Sequence, residues 1–158
     1  MGKLYIMCGL PGSGKSTWCK NNLQLTDKYI SRDKVRFSML KDSDDYFAKE
    51  NQVFAEFVRQ IDLALANGHT VYADATHLNA ASRAKLINKL HNIDELNAIY
   101  IKVSLDTALQ RNAQRVGRAL VPEKVIRNMY EETLTEPTKE EGFNNIIIKN
   151  NEGGLYEK

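Results

Sequence analysis

Gly9-Leu10-Pro11-Gly12-Ser13-Gly14-Lys15-Ser16, followed by Thr17, decides how the rest of the chain is read. It fits G-x-x-x-x-G-K-[ST] at every fixed position. Before it runs Lys3–Cys8, an apolar, strand-like segment; after it, the stretch from Lys15 to about Leu25 has helical character. Strand, glycine loop and helix in that order are the context in which the pattern binds phosphate. Its glycines let successive backbone N–H groups point inward at anionic oxygens, and the helix N-terminus adds its dipole. Gly12, Ser13, Gly14, Lys15, Ser16 and Thr17 are therefore the candidate nucleotide-binding residues. Lys15 has the reach to touch β- and γ-phosphates, and Ser16 is a candidate ligand for Mg²⁺.

Bulk properties narrow the classes. The 158 residues are 42% hydrophobic and 27% charged, enough for one globular domain with a core, and a single domain over 1–158 is expected. No run approaches the roughly 18–20 apolar residues of a membrane span, and the first apolar run is too short for a signal peptide. A cytoplasmic protein with no membrane partner is expected. Cys8 and Cys19 have no metal-ligand spacing and read as reduced, buried thiols.

The net charge is only +2, but its distribution is uneven. Residues 1–41 carry eight Lys/Arg against two Asp, and residues 111–127 carry five against one Glu. Residues 42–62 and 131–158 are acidic. Positive charge thus gathers where phosphates should lie, which suits an anionic substrate.

Along the chain, strands alternate with helices. The segments Lys28–Ser31, His69–Asp74, Leu96–Val103 and Phe143–Lys149 read as further strands. Helices are expected from Ser31 or Asp33 to about Leu40, over Asp44–Asn67, over Ala80–Leu90, over Thr107–Arg115 and from Pro122 to about Leu134. In the long helix, Phe47, Phe54, Val58, Ile61 and Leu65 recur at helical spacing and are its expected core face. The pattern is α/β: a mostly parallel sheet of about five strands with helices on both faces. Ligands in such sheets bind beyond the C-terminal strand ends, which brings Gly9 onward, Ser31–Asp33 and Asp74–Asn79 together.

That placement singles out a second constellation. Asp33, at the end of the second strand, is a candidate base for an attacking hydroxyl. Arg36, one helical turn on, has a planar fork suited to a substrate phosphate. Asp74 ends the third strand and is a candidate metal-side or substrate-orienting acid, with Thr76 on the same loop. Arg111, Arg115 and Arg118 surround the break at Gly117, as a lid over about 111–127 would require. Arg115 is the first candidate to reach the transferring phosphate, Arg118 the second.

Gly-Leu-Pro-Gly-Ser-Gly-Lys-Ser-Thr-Trp at 9–18, Ser-Arg-Asp-x-x-Arg at 31–36, Asp-Ala-Thr-His-Leu-Asn at 74–79, Arg-Asn-x-x-Arg at 111–115 and Val-Pro at 121–122 occur in the order of the phage-type polynucleotide 5′-kinases. The chain resembles the kinase module of that family over about residues 3–134. The resemblance implies a three-layer P-loop kinase fold with a helical lid. It implies transfer of the γ-phosphate of ATP, with Mg²⁺, to the 5′-hydroxyl of DNA or RNA. It makes Asp33 the general base, with Lys15 and Arg115 beside it in catalysis, and puts Arg36 on the phosphate next to the terminal nucleoside. No Asp-x-Asp-x-Thr signature is present, so removal of a 3′-phosphate is not expected.

Two other classes fit the phosphate loop: a small-molecule kinase acting on a nucleoside, nucleotide-sugar or metabolite, and a catalytically silent ATP-binding module. A GTP switch is excluded, because Asn88-Lys89-Leu90-His91 lacks the acid of Asn-Lys-x-Asp. Trp18 and Phe37 are the only aromatic residues of the basic segments singled out for base stacking. The tail 135–158 carries no assignable chemistry.

Overall fold

A computed structural model describes residues 2–152, apart from the side chain of Arg118. Five strands, β1 (Lys3–Cys8), β2 (Lys28–Ser31), β3 (Thr70–Asp74), β4 (Glu95–Lys102) and β5 (Asn145–Asn150), form one sheet in the order β2-β3-β1-β4-β5. Every pairing is parallel. The register sets Met7 and Ser31 on either side of Asp74, so the C-terminal ends of β1, β2 and β3 lie in one row. This is the neighbourhood expected of those three strand ends.

The helices are α1 (Lys15–Asn22), α2 (Arg32–Met39), α3 (Glu50–Ala66), α4 (Ala80–Ile87), α5 (Leu105–Asn112) and α6 (Glu123–Asn128). Local chemistry fixes several starts. The Ser31 hydroxyl accepts the Lys34 N–H and begins α2; Asn79 and Ser82 form a reciprocal capping box at α4; Ser104 accepts the Thr107 N–H at α5. Pro122 precedes α6, whose end passes into a single π-helical turn at Met129–Thr133. No described helix is long and apolar enough to cross a membrane.

Helices cover both faces of the sheet. On one, Met7, Tyr72, Ile99 and Ile101 pack with Cys19 and Trp18 of α1. On the other, Leu4, Ile6, Val71, Ala73 and Ala98 meet Val35 of α2, Val53, Phe57, Ile61 and Leu65 of α3, and Leu86 of α4. A third cluster, Leu10, Val103, Ala108 and Ile126, lies under α5 and α6. Both cysteines are buried and unbridged, and burial pushes the Cys8 thiol up to about 12. Each of the buried side chains Val53, Phe57, Ile61 and Leu65 on α3 contributes about 1.5–3 kcal/mol by leaving water.

Three expectations need correction here. The long helix begins at Glu50, not near Asp44. Residues 41–48 instead form turns: the Asp44 N–H reaches the Lys41 carbonyl, the Asp44 carboxylate takes the Lys41 N–H, and Ala48 bonds back to Asp45. Asp and Ser side chains offer the backbone such local partners and so compete with the helix. The buried face of α3 is Val53, Phe57, Ile61 and Leu65. Ile61 and Leu65 were on the expected face; Phe47 is 69% exposed, and Phe54 lies under the cations of Arg32 and Lys85 instead. Trp18 tilts against Tyr72 in the second cluster rather than standing free for a base.

Candidate active site

The loop between β1 and α1 takes its shape from glycine. Gly14 has φ +96°, and a Cβ there would lie 2.3 Å from the Asn151 side-chain nitrogen. Gly12 has φ +82°, and its Cβ would lie 2.6 Å from the Ala108 carbonyl oxygen. Both positions need the left-handed region and the missing side chain. The Gly9 N–H donates to the Thr76 carbonyl at 3.0 Å, which pins the loop to the end of β3. Lys15 is buried, and its Nζ donates to the carbonyls of Gly9 and Leu10 at 2.9 and 3.0 Å. Burial lowers its pKa, opposed by the Asp74 carboxylate. The Ser13 hydroxyl is buried without a hydrogen-bond partner. An orphaned hydroxyl, a buried lysine and a glycine turn at a helix N-terminus together fit a polyphosphate.

The tail supplies the other wall. Asn151 is 1% exposed and donates to the Ser13 carbonyl at 2.7 Å. Arg111 of α5 bridges the Ser13 and Asn151 carbonyls at 3.2 and 2.8 Å. Glu152 accepts from the Ser104 N–H and, at 2.9 Å, from the Thr107 hydroxyl, so it ties the end of β5 to the start of α5. The residues just after β5, unassigned by sequence reading, thus brace the phosphate loop.

The structure brings Ser16 and Asp74 together. The Ser16 hydroxyl donates to the Asp74 carboxylate at 2.7 Å. Tyr29, which sequence reading missed, donates its phenol to the same Asp74 oxygen at 2.5 Å and lies 3.1 Å from the Ser16 oxygen. Burial and the Asp74 charge push the Tyr29 phenol up, so it stays a proton donor. Mg²⁺ takes one or two protein oxygens and fills its shell with water and phosphate oxygens, and Ser16 with Asp74 fit that donor set.

On the β2 side, Asp33 sits in the first turn of α2 with its side chain 54% exposed. It accepts hydrogen bonds from Arg36 and, at 2.6 Å, from the Tyr46 phenol. Its charge is felt at Lys15, where it favours the ammonium form. Arg36 comes to Asp33 as expected, but its guanidinium is buried and turned inward. Nε and Nη2 lie 3.2 and 2.8 Å from the Glu50 carboxylate, and Nη1 lies 2.8 Å from Tyr46. Glu50 also accepts from Arg32 at 2.6 Å. Glu50 and Tyr46 were not expected here; the turn at 41–48 that replaces the first helical turns carries them in.

Of the arginines after α5, Arg115 donates to the Ala119 carbonyl at 3.3 Å, and its charge opposes protonation of Lys15. The side chain of Arg118 lies outside the described residues. Thr76 contributes its carbonyl to the loop. His77 is buried: its Nδ1 lies 2.7 Å from the Met7 carbonyl, its ring stacks on Phe57, and burial lowers its pKa to about 4. It alone among the described non-glycine residues has positive φ, at 41°. Arg83, fully buried, holds this loop through the His77 carbonyl at 2.9 Å and pairs with Glu141 at 2.7 Å.

The site's chemistry has relatives. The chain is 32% identical over 143 residues to the L-seryl-tRNA(Sec) kinase of Methanococcus maripaludis, covering 86% of this chain and 54% of that protein. It is 30% identical over 148 residues to a protein of Autographa californica nuclear polyhedrosis virus described as a bifunctional polynucleotide kinase/RNA ligase, covering 84% and 21%. The chain therefore spans about half or less of the length of these relatives. Among solved structures, a chain of the Pnkp1/Rnl/Hen1 RNA repair complex superposes with a TM-score of 0.68 at 22% identity, over 81% of this chain and 42% of that one. At that identity the likeness shows the fold. A family model described as AAA domain (AAA_33) matches residues 4–135, and the chain belongs to that family, as a P-loop kinase domain.

Proposed function

We propose that this kinase transfers the γ-phosphate of ATP to a hydroxyl carried by a nucleic acid, the 5′-hydroxyl of a DNA or RNA end. The observation that carries this reading is Asp33: a half-exposed carboxylate in the first turn of α2, two residues beyond Ser31, which the register sets beside Asp74 in the row of strand ends next to the phosphate loop. The relatives support the acceptor class, since their names describe kinases of a polynucleotide and of a seryl-tRNA.

Asp33 accepts the proton of the attacking hydroxyl, and Tyr46 and Arg36 hold its carboxylate in place. The hydroxyl oxygen bonds to the γ-phosphorus as the bond to the β–γ bridging oxygen breaks; ADP leaves, and Asp33 returns its proton to water. Lys15 exchanges its carbonyl partners for phosphate oxygens and balances their charge. Mg²⁺ at Ser16 and Asp74 would neutralise charge on the same phosphates. Arg115 closes with the lid, about 111–127, onto the transferring group, and Arg118 belongs to the same lid. Arg36 reaches a substrate phosphate only by giving up Glu50, so its role on the acceptor strand depends on that exchange. Thr76 and Asp74 line the acceptor path, and residues 1–158 act as one domain.

The second reading has an observation behind it: the 32% identity to a seryl-tRNA kinase favours a serine hydroxyl on a charged tRNA. The test is γ-labelled ATP offered with three acceptors in parallel: a 5′-hydroxyl oligonucleotide, seryl-tRNA, and a mixture of nucleosides and sugars. Label in the oligonucleotide is the expected result. Label in seryl-tRNA alone moves the function to the second reading, and label among the small molecules alone overturns both.

A further inference from the structure

Three aromatic rings gather beside Asp33, and sequence periodicity places one of them, Phe47, on the core face of the long helix. Phe37 lies one turn beyond Asp33 on the same face of α2 and is 37% exposed. Its ring meets Tyr46 edge-on, with centroids 6.0 Å apart at 72°. Tyr46 in turn meets Phe47 edge-on, at 4.6 Å and 82°. The Arg36 guanidinium lies 4.2 Å from the Tyr46 centroid and 5.7 Å from that of Phe47. This cluster is built, not loose. Lys49 anchors the turn to the Met39 carbonyl at 3.1 Å, and Tyr46 anchors it to Asp33.

The most exposed member, Phe47, is out of place energetically. A phenyl ring left 69% in water forgoes most of the 1.5–3 kcal/mol that burial would contribute. Its neighbours hold it there, with a cation close by and the candidate base two contacts away. Aromatic rings beside cations, in reach of a phosphate path, are how single strands are held without sequence preference.

We infer that Phe47, braced by Tyr46 and Arg36, is a stacking platform for the base of the acceptor's 5′-terminal nucleotide. This rests on the nucleic-acid reading above and adds a specificity element to it. Stacking on Phe47 fixes the terminal nucleoside by its flat face, leaving its 5′-oxygen to Asp33. The site then accepts any base and discriminates against an end that has none.

The test is steady-state transfer from ATP to 5′-hydroxyl oligonucleotides, intact or abasic at the terminal nucleotide, by wild type, Phe47→Ala, Phe47→Leu and Phe47→Tyr. Because Phe47 is exposed, the variants should fold, and circular dichroism checks it. For the intact acceptor, Phe47→Ala and Phe47→Leu are expected to raise KM about tenfold, with kcat and the KM for ATP unchanged, and Phe47→Tyr to behave as wild type. The abasic end is expected to raise the wild-type KM by a similar factor and to leave that of Phe47→Ala unaltered. Transfer by wild type with an unchanged KM in Phe47→Ala overturns the platform and leaves the kinase reading standing. A Phe47→Leu enzyme as good as wild type also overturns stacking. No transfer by wild type to any oligonucleotide removes the acceptor class and the platform together.

Discussion

The two sides of the candidate site are built differently. The donor side is mostly backbone and buried: Ser13 is 0% and Lys15 8% exposed, and the glycine turn is braced by Thr76, Arg111 and Asn151. The acceptor side is mostly side chain and half open: Asp33, Tyr46, Phe47, Arg36 and Glu50 hold one another at the surface end of α2. Triphosphate is the same molecule every time, and a rigid cradle suits it. An acceptor must enter and leave, and a network of side chains can rearrange. The contrast teaches that donor-side changes should damage transfer directly, whereas several acceptor-side changes should trade stability against affinity.

The largest effect should be at the cradle. Lys15→Met is expected to lower kcat for transfer by about 10³-fold, on the scale of losing one preorganised charge donor. It should leave the melting temperature unchanged or higher, because a desolvated ammonium is removed. A melting temperature that falls sharply would break the distinction, since Lys15 would then be structural.

The loop joining the two sides should be sensitive to pH. His77 has a folded pKa of about 4, below its ordinary 6.5, because burial disfavours the imidazolium. Above pH 6.5 both folded and unfolded chains hold it neutral, and it makes no difference. Between pH 6.5 and 4 the unfolded chain takes up a proton that the folded chain refuses, so stability falls as pH falls. The loss is complete near pH 4 and is on the order of 3 kcal/mol. Urea midpoints across that range should show the slope in wild type and a flatter one in His77→Asn, which tolerates the positive φ.

On the acceptor side, Glu50→Gln is expected to cost about 1–3 kcal/mol in urea unfolding, since Arg36 and Arg32 lose their shared carboxylate. It also releases Arg36, so the KM for an acceptor should fall or hold even as stability drops. A rise in both the stability and the acceptor KM would contradict the pairing.

The smallest effect sharpens the donor side. Tyr29→Phe removes the phenol that donates to Asp74 while keeping the ring. It should weaken Mn²⁺ binding to the enzyme–ATP complex by about three- to tenfold, read by electron paramagnetic resonance, because a ligand held by an outer hydrogen bond loses its orientation.

How much of this was legible in the sequence follows the same division. The phosphate loop is a local object: eight consecutive residues with a strand before and a helix after, so its form could be read without knowing the fold. The placement of Asp33 and Asp74 followed from counting parallel strands, and the register puts Ser31 and Met7 beside Asp74. What could not be read is what distance in sequence hides. Asn151 meets Ser13 across 138 positions, and Tyr29 meets Asp74 across 45. Tyr46 and Glu50 reach Asp33 and Arg36 only because the chain turns at 41–48 instead of continuing a helix. There the apolar spacing of Phe47 and Phe54 read as a core face. The run of Asp42, Ser43, Asp44 and Asp45 was the available signal against it, since those side chains stabilise turns.

Under the proposed function, Asp33 activates a hydroxyl of a nucleic acid end for attack on ATP. This role is tested most directly by transfer from γ-labelled ATP to a 5′-hydroxyl oligonucleotide, comparing wild type with Asp33→Asn, alongside ATP affinity measured by calorimetry. The expected result is transfer by wild type, a fall in kcat of about 10²–10⁴-fold in Asp33→Asn, and an unchanged Kd for ATP. Undiminished transfer by Asp33→Asn, or wild-type enzyme that binds ATP and phosphorylates no oligonucleotide, would contradict it.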